Sequence, residues 1–382
     1  MGTGTDLARR RGPFLPGQGL VPPYLAGREE EQDIIQHLFD WLEDGLAPGS
    51  DLIICGPRGN GKTALMAWAL KAARDRGIRT LKFMAADIRS EGRLVRHLDI
   101  VPPWLRVLSA VNLLGFGIKT RDTPGSLIGG SLARMARRRA LVLGVDEAHT
   151  LAPEVGGILL QAVQDLRSDG VPVMLLLAGT PEFPRHLNSM QPTFWDRSKI
   201  LSLGLLKPEA AADATRIPMQ AAGRSVVPKA LAQVVAESHG YPFLRAGVGR
   251  GAVAAAAGSR PASVDDVDGA RPQFEKVGNT YYRNRHVELE RAKLAGVAAR
   301  LSLEFMETDR RTGPEVSECI RLALESEGRG AGMDAVMAAR DRLHDLGFIW
   351  SQGGESRLYS RPVIPSLMQF VARSQDVGPK AQ

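Results

Sequence analysis

The stretch LIICGPRGNGKTAL, residues 52–65, joins an apolar run, a glycine-rich turn and the start of a helical pattern. The run from Leu52 to Cys55 is typical of a buried strand. The turn that follows, GPRGNGKT, fits the pattern G-x-x-x-x-G-K-[ST]. Such a turn between a strand and a helix points backbone N–H groups inward, at the positive end of the helix. The stretch therefore predicts a doubly wound α/β domain with an anion-binding loop.

The positions of this loop have predicted roles in holding a nucleotide. Gly56, Gly59 and Gly61 let the backbone bend around a phosphate. We expect Lys62 to reach the β- and γ-phosphates, and the Thr63 hydroxyl to occupy one Mg²⁺ position. The other loop residues predicted to line the nucleotide are Pro57, Arg58, Asn60 and Ala64. The predicted ligands are ATP and Mg²⁺.

A second motif, LVLGVDEAH, places two carboxylates at the end of another apolar run. Asp146 at the end of a strand is suited to bind Mg²⁺, directly or through its water shell. Glu147 beside it is suited to polarise a water molecule against the γ-phosphate. A loop of this kind followed by an Asp-Glu pair indicates hydrolysis of ATP rather than transfer to a small acceptor molecule.

Two further residues extend the predicted site. Thr180 lies at the carboxyl end of the predicted strand VPVMLLLAGT, where doubly wound sheets bind their ligands. Its hydroxyl is expected to hold the attacking water or the γ-phosphate. Arg197, before the predicted strand SKILSLGLL, is suited to neutralise transition-state charge on the ATP of a neighbouring subunit. A surface ion pair with Asp196 remains the alternative for Arg197.

Strand and helix patterns alternate through most of the first half of the chain, which predicts a parallel sheet with helices on its faces. We assign residues 24–205 to this nucleotide-binding core. The stretch at about 90–130 breaks the alternation and is interpreted as an insertion. Residues 1–23, rich in Gly, Pro and Arg, predict a flexible arm. Residues 206–260 predict a helical lid.

The C-terminal part predicts a separate domain. Over residues 275–373, three helical patterns precede two short strands, which is the order of a winged helix-turn-helix. The helix that begins at Met333 is the candidate recognition helix. Its predicted inward face consists of Met333, Val336, Met337 and Leu343. Because carboxylates alternate with arginines along this helix, contact with DNA and docking of a protein both stay open. Residues 374–382 predict a disordered tail.

Composition limits the classes of protein to consider. The chain has 382 residues, 44% of them hydrophobic, and a formal net charge of +7, a mild preference for polyanionic partners. No apolar run is long enough to span a membrane. The two cysteines, Cys55 and Cys319, lie far apart in sequence, so no disulfide framework is predicted. These features favour a cytoplasmic protein in a reducing compartment.

The order of these motifs resembles AAA+ ATPases of the initiator-like kind, relatives of the origin-recognition-complex and archaeal replication-initiator ATPases. The resemblance covers residues 24 to 372. It implies that Leu25, Ala26 and Gly27 line the adenine pocket, that Thr180 is the sensor on the fourth strand and that Arg197 is an arginine finger. One departure concerns the lid, because Tyr-Pro-Phe follows Gly240 where initiators place an arginine. A second sensor at Arg245 is therefore in doubt.

Three hypotheses of function stay open at this point. The first is an ATPase that couples its nucleotide state to double-stranded DNA or a protein partner through the winged helix, with assembly into a homo-oligomer. The second is a signal-transduction switch that keeps its nucleotide and turns over little. The third is a transposition or target-site adaptor ATPase.

Overall fold

The structure, a computed structural model, divides the chain into two compact units. The core unit comprises Glu29–Cys55 and Leu65–Leu201, and the second unit comprises the residues up to Arg28, Gly56–Ala64 and the residues from Ser202 onward. The structure describes residues 24–98, 124–137, 139–191, 194, 197–238, 240–242, 260–307, 311–351, 359–362 and 370–372. The predicted arm at 1–23, Arg245, the tail at 374–382 and most of the predicted insertion lie outside these residues.

A five-stranded sheet forms the centre of the core unit. Its strands are β1 (Asp51–Cys55), β2 (Arg79–Met84), β3 (Leu141–Asp146), β4 (Val173–Gly179) and β5 (Ser198–Ser202). They are ordered β2-β3-β4-β1-β5. The pairs β1–β4, β2–β3 and β3–β4 are parallel, and Cys55 lies opposite Gly179. The strands β1, β3 and β4 are buried on both faces. Their sequences are therefore mostly continuous apolar residues rather than an alternation of apolar and polar residues.

Helices cover the faces of this sheet. They are α1 (Glu29–Glu43), α2 (Lys62–Asp75), α3 (Glu91–His97), α4 (Pro124–Ala136), α5 (Pro153–Ser168) and α6 (Phe183–Met190). Two short 3₁₀ helices, Ala85–Ile88 and Ala148–Thr150, follow β2 and β3. Each helix turns an apolar stripe inward, such as Ile35, Phe39 and Leu42 on α1. The strand–helix alternation predicted from the sequence is confirmed.

A buried carboxylate anchors the beginning of β1. Asp51 is 1% exposed; one oxygen accepts the Leu175 N–H at 2.7 Å, and the other accepts Arg167 Nη1 at 2.6 Å. Burial raises the pKa of Asp51 to about 6, although Arg167 and the Leu175 N–H each act to lower it. The folded chain therefore binds this proton more tightly than an unfolded chain, in which the pKa of aspartate is about 3.9.

We predict that Asp51→Asn gains stability relative to the wild type as the pH rises. The protonated form of Asp51 stabilises the fold fully below about pH 4, and this contribution is lost as the pH rises through 6. From about pH 4.5 to about pH 7.5, the difference in unfolding free energy should shift by about 2 kcal/mol in favour of the asparagine variant. Urea denaturation of both proteins measures it. A difference that is constant, or that shifts the other way, would contradict the prediction.

In the described part of the second unit, β5 is followed by the helices α7 (Pro208–Ala221), α8 (Pro228–Ser238) and α9 (Val264–Arg291). The first two pack on each other, and α8 packs on α9. Ser263 caps α9 in a capping box with Asp266. The Arg260 guanidinium donates to both oxygens of Asp266 and holds the pKa of that carboxyl well below its usual range. The start of this helix is therefore fixed by charge as well as by its cap.

The described C-terminal part of the second unit combines helices with a small sheet. Its elements are α10 (Ala295–Glu307), β6 (Arg311–Thr312), α11 (Gly313–Ser326), α12 (Met333–Asp345), β7 (Ile349–Ser351) and β8 (Tyr359–Pro362). The sheet is antiparallel in the order β6-β8-β7. Thr312 caps α11 in a capping box with Glu315. The predicted divisions near residues 205, 260 and 275 stay predictions.

The predicted inward face of α12 is wrong for two of its four residues. Val336 and Leu343 are buried, as expected, but Met333 is 72% exposed and Met337 is 43% exposed. The buried side of the helix is instead completed by Ala339. Val336, Ala339 and Leu343 follow a spacing of three and four residues, which defines one stripe, and both methionines lie off that stripe.

Among the residues that the structure describes, no helix is both long enough and apolar enough to cross a membrane.

Candidate functional site

Several predicted site residues are gathered by the parallel sheet. Because β1, β3 and β4 run in the same direction, their last residues, Cys55, Asp146 and Gly179, lie at one edge of the sheet. The glycine-rich loop follows Cys55 directly in the chain, Glu147 follows Asp146, and Thr180 follows Gly179. This edge is where doubly wound sheets bind their ligands.

The loop itself has the backbone conformation of a phosphate cradle. Gly59 and Gly61 have φ values of 88° and 90°, a region that side chains disfavour. A Cβ on Gly61 would meet nothing within 4 Å, so this side of the loop is open. A Cβ on Gly56 would lie 2.7 Å from the Leu203 carbonyl oxygen, which excludes larger residues there. Gly59 and Gly61 thus shape the cradle, and Gly56 allows the close approach of the Leu203 backbone.

Lys62 begins α2 and directs its side chain back over the loop. Its Nζ donates to the carbonyl oxygens of Gly56, at 2.8 Å, and Pro57, at 3.0 Å, and the residue is 6% exposed. An ammonium group held in this way is desolvated and oriented before any anion arrives. Thr63 and Ala64, next on the helix, are half-buried, and Arg58 is exposed.

The structure adds supports for the loop that the sequence analysis missed. Arg28 is 7% exposed, and its Nη2 donates to the carbonyl oxygens of Gly204 at 2.6 Å and Asn60 at 3.4 Å. The Asn60 side chain donates to the Leu203 carbonyl oxygen at 3.0 Å. The buried Tyr241 hydroxyl donates to the Arg58 carbonyl oxygen. The loop is therefore held from outside by side chains distant in sequence.

The predicted adenine segment lies against α7. Gly27 has a φ of 66°, and a Cβ there would lie 2.6 Å from the Ala210 Cβ. Leu25 is half-buried. Ala26 belongs to an apolar cluster with Leu206, Ala211 and Ala214. The segment thus offers an apolar surface of small residues, although its role as an adenine pocket stays a prediction.

Asp146, at the end of β3, is 1% exposed. Its Oδ1 accepts the Glu147 N–H at 3.0 Å, and its Oδ2 lies 3.2 Å from Lys82 Nζ on the neighbouring strand β2. The ammonium of Lys82 offsets part of the cost of burying this carboxylate. The sequence alone does not indicate Lys82 as a partner of Asp146, because their proximity depends on the pairing of β2 with β3.

Glu147 has an uncommon backbone conformation, with φ 54° and ψ 34°. The left-handed region costs a non-glycine residue roughly 1–3 kcal/mol, so the surrounding structure must enforce it. Its carbonyl oxygen accepts hydrogen bonds from the N–H and the hydroxyl of Thr150, both at 2.9 Å. The Glu147 side chain is 37% exposed, and its Oε2 lies 3.4 Å from Nε2 of the buried His149.

Thr180 and Arg197 lie in different surroundings. Thr180 is 5% exposed, and its hydroxyl donates to Glu182 Oε1 at 3.2 Å. A hydroxyl at the end of β4 is placed as the sequence predicted. Arg197 precedes β5 with its side chain exposed. Its alternative partner, Asp196, lies outside the described residues.

Two archaeal structures have a fold similar to that of this chain. The Walker-type ATPase of Pyrococcus abyssi aligns with a TM-score of 0.63 at 13% identity, over 91% of this chain and 96% of that one. The ORC2 protein of Aeropyrum pernix, in complexes with ADPNP and ADP, aligns with a TM-score of 0.57 at 16% identity, over 96% and 100%. These alignments show that the chain shares its fold with the ORC2 protein and the Walker-type ATPase. No protein-family model and no curated protein matches it.

The residues present fit a nucleotide and a magnesium ion. The loop combines an open glycine cradle with a buried, oriented ammonium, which suits phosphate oxygens. Thr63 and Asp146 supply hydroxyl and carboxylate oxygens, the hard ligands that Mg²⁺ prefers. The predicted roles of the individual residues stay predictions.

Proposed function

We propose that this protein binds ATP with Mg²⁺ and hydrolyses the ATP. The observation that carries this proposal is the sheet edge at which β1, β3 and β4 end. The loop of Lys62 follows β1 in the chain, Asp146 is the last residue of β3, and Glu147 follows it. The AAA+ fold supports it, since it recurs in the Pyrococcus abyssi ATPase.

Each residue has a definite part in the proposed reaction. Lys62 and the loop N–H groups hold the phosphates, and Thr63 and Asp146 bind Mg²⁺, which when bound screens the charge of the phosphates. Glu147 takes a proton from a water molecule as the water oxygen bonds to the γ-phosphorus. The bond from that phosphorus to the bridging oxygen breaks, and ADP leaves with the electron pair. Thr180 orients the water or the γ-phosphate.

Arg197 has a proposed role across a subunit boundary. Its side chain is exposed before β5, and so it is accessible to the ATP of a second copy in a homo-oligomer. A cation that approaches the γ-phosphate in this way would make turnover depend on protein concentration.

The C-terminal part is proposed to be a winged helix that engages double-stranded DNA. Its element order, with two helices between β6 and the β7–β8 hairpin, and the antiparallel sheet support a winged helix. The net charge of +7 favours a polyanionic partner. A protein partner is the second candidate, because α12 exposes Met333 and Met337 beside Asp334. An apolar face with a carboxylate suits a protein better than phosphates.

We predict ATP turnover that requires Mg²⁺ and is stimulated by duplex DNA. Release of phosphate by the purified full-length protein should be lost when the metal is chelated. Stimulation by duplex should fade between about 50 and 200 mM salt, because phosphate contacts release counterions. If duplex DNA did not change the rate of ATP hydrolysis, the proposed binding of DNA would be rejected and a protein partner favoured. No turnover in any condition would reject hydrolysis and favour the switch hypothesis.

A further inference from the structure

Glu147 is held by a compact turn in the core unit. The 3₁₀ helix Ala148–Thr150 begins directly after it, and Thr150 donates twice to its carbonyl oxygen. This helix packs against β4, α6 and the other 3₁₀ helix, Ala85–Ile88. The backbone of Glu147 is therefore fixed by its neighbours on several sides. The side chain, with three rotatable bonds, is not fixed by the backbone alone.

The His149 side chain lies beside the Glu147 carboxylate. Its side chain is 3% exposed, while that of Glu147 is 37% exposed. The imidazole is thus set in the packed interior, and the carboxylate reaches the surface of the turn. The distance between His149 Nε2 and Glu147 Oε2 is 3.4 Å.

We propose that His149 is a positioning residue for the reaction, which orients the Glu147 carboxylate through Nε2 and leaves the other oxygen to take the proton from water. The proposal rests on the proposed hydrolysis of ATP. A buried ring has few conformations, so its contact restricts the rotamers of a glutamate that is otherwise half in solvent. A general base confined near its working geometry reacts faster than one that must be ordered in each cycle.

Substitutions of His149 by amide side chains can distinguish a positioning role from simple packing. The amide nitrogen of glutamine stands as many bonds from the backbone as Nε2 of histidine, whereas that of asparagine stands where Nδ1 would. His149→Gln therefore keeps a donor able to reach Glu147 Oε2, and His149→Asn does not. Both variants keep a polar side chain at a buried position, and so their difference isolates the contact rather than the packing.

The test measures kcat at saturating ATP, the Kd of ATP by equilibrium binding, and the Tm of the full-length protein. We expect His149→Asn and His149→Ala to lower kcat about 10-fold with Kd within about 2-fold, and His149→Gln to stay within about 3-fold of the wild type. His37→Asn, on the exposed surface of α1, is the control and should change neither constant. Equal kcat for the asparagine and glutamine variants, or a Kd that weakens in step with kcat, would overturn the proposal.

A double-mutant cycle with Glu147→Gln supplies a readout independent of folding. If His149 acts through the carboxylate of Glu147, His149→Asn should cause no further loss of single-turnover rate once that carboxylate is gone. Additive losses would overturn the proposal. A wild type that turns over, with unaffected His149 variants, rejects this inference alone. A wild type without turnover rejects the proposed hydrolysis and, with it, the inference.

Discussion

Lys62→Ala is expected to weaken ATP binding about 100-fold. The Lys62 ammonium is buried and donates to the carbonyl oxygens of Gly56 and Pro57. Since it is already desolvated, a charged phosphate gains a strong hydrogen bond at little further cost. One hydrogen bond between charged groups contributes about 1.5–3 kcal/mol, and 2.8 kcal/mol corresponds to roughly a factor of 100 in Kd. Calorimetric titration with ATP and Mg²⁺ measures the change.

The same helix provides a matched control for this measurement. Lys71 lies on α2 with its side chain 57% exposed, in an ion pair with Asp75. Lys71→Ala removes the same side chain and charge and should leave the Kd of ATP within about 2-fold, because an exposed pair contributes little. If Lys62→Ala bound ATP as the control does, the loop would not be the phosphate site. The Tm of both variants, without nucleotide, shows whether the loop remains folded.

The sheet and the position of the loop could be predicted because their signals are local. The apolar runs of β1, β3 and β4 are bounded by glycine, proline or charged residues, and each was assigned as a strand. The residue that follows each run was then a candidate site residue, from the rule that ligands bind at the carboxyl ends of parallel strands. The order β2-β3-β4-β1-β5 was not predicted, since pairing between distant strands leaves no local pattern.

The side chains that support the glycine-rich loop could not be predicted from local sequence patterns. Arg28 precedes three glutamates, and by pattern alone it belongs to a solvated helix start. Its partners are carbonyl oxygens 32 and 176 positions away. Tyr241 and Arg58 are similarly distant, 183 positions apart. A contact to backbone oxygen carries no sequence signature on the acceptor side, because every residue has a carbonyl group.

The exposed methionines of α12 illustrate a different limit. Spacing of three and four residues identifies an amphipathic helix but does not decide between two overlapping stripes. Val336, Ala339 and Leu343 cover the packed side, and Met333 and Met337, which fit the apolar pattern equally well, are exposed. The choice depends on the neighbouring helix α11, whose position the sequence of α12 does not contain.

Glu147→Gln is expected to lower ATP turnover at least 100-fold while leaving ATP bound. Glutamine has the shape of glutamate but cannot accept a proton from water, and general-base catalysis contributes about 10²–10⁴ in rate. The left-handed backbone of Glu147 is fixed by Thr150, so the substitution should not disturb the turn. The phosphate contacts of the loop are untouched, and the Kd of ATP should stay within about 2-fold. Single-turnover hydrolysis with radiolabelled ATP measures the rate.

Glu154→Gln is the matched control for this substitution. It makes the same change of charge at an exposed position in the first turn of α5, also on the core unit. The control should turn over ATP as the wild type does. If both glutamine variants hydrolysed ATP at the wild-type rate, Glu147 would not be the base, and Glu182 beside Thr180 would become the next carboxylate to test. The wild type could itself hydrolyse ATP as slowly as Glu147→Gln, and Glu147 would then not act as a general base.

ATP binding through Lys62 does not depend on Glu147. A wild type that retained ATP without hydrolysing it would therefore support the switch hypothesis, in which the bound nucleotide is a stable part of the structure.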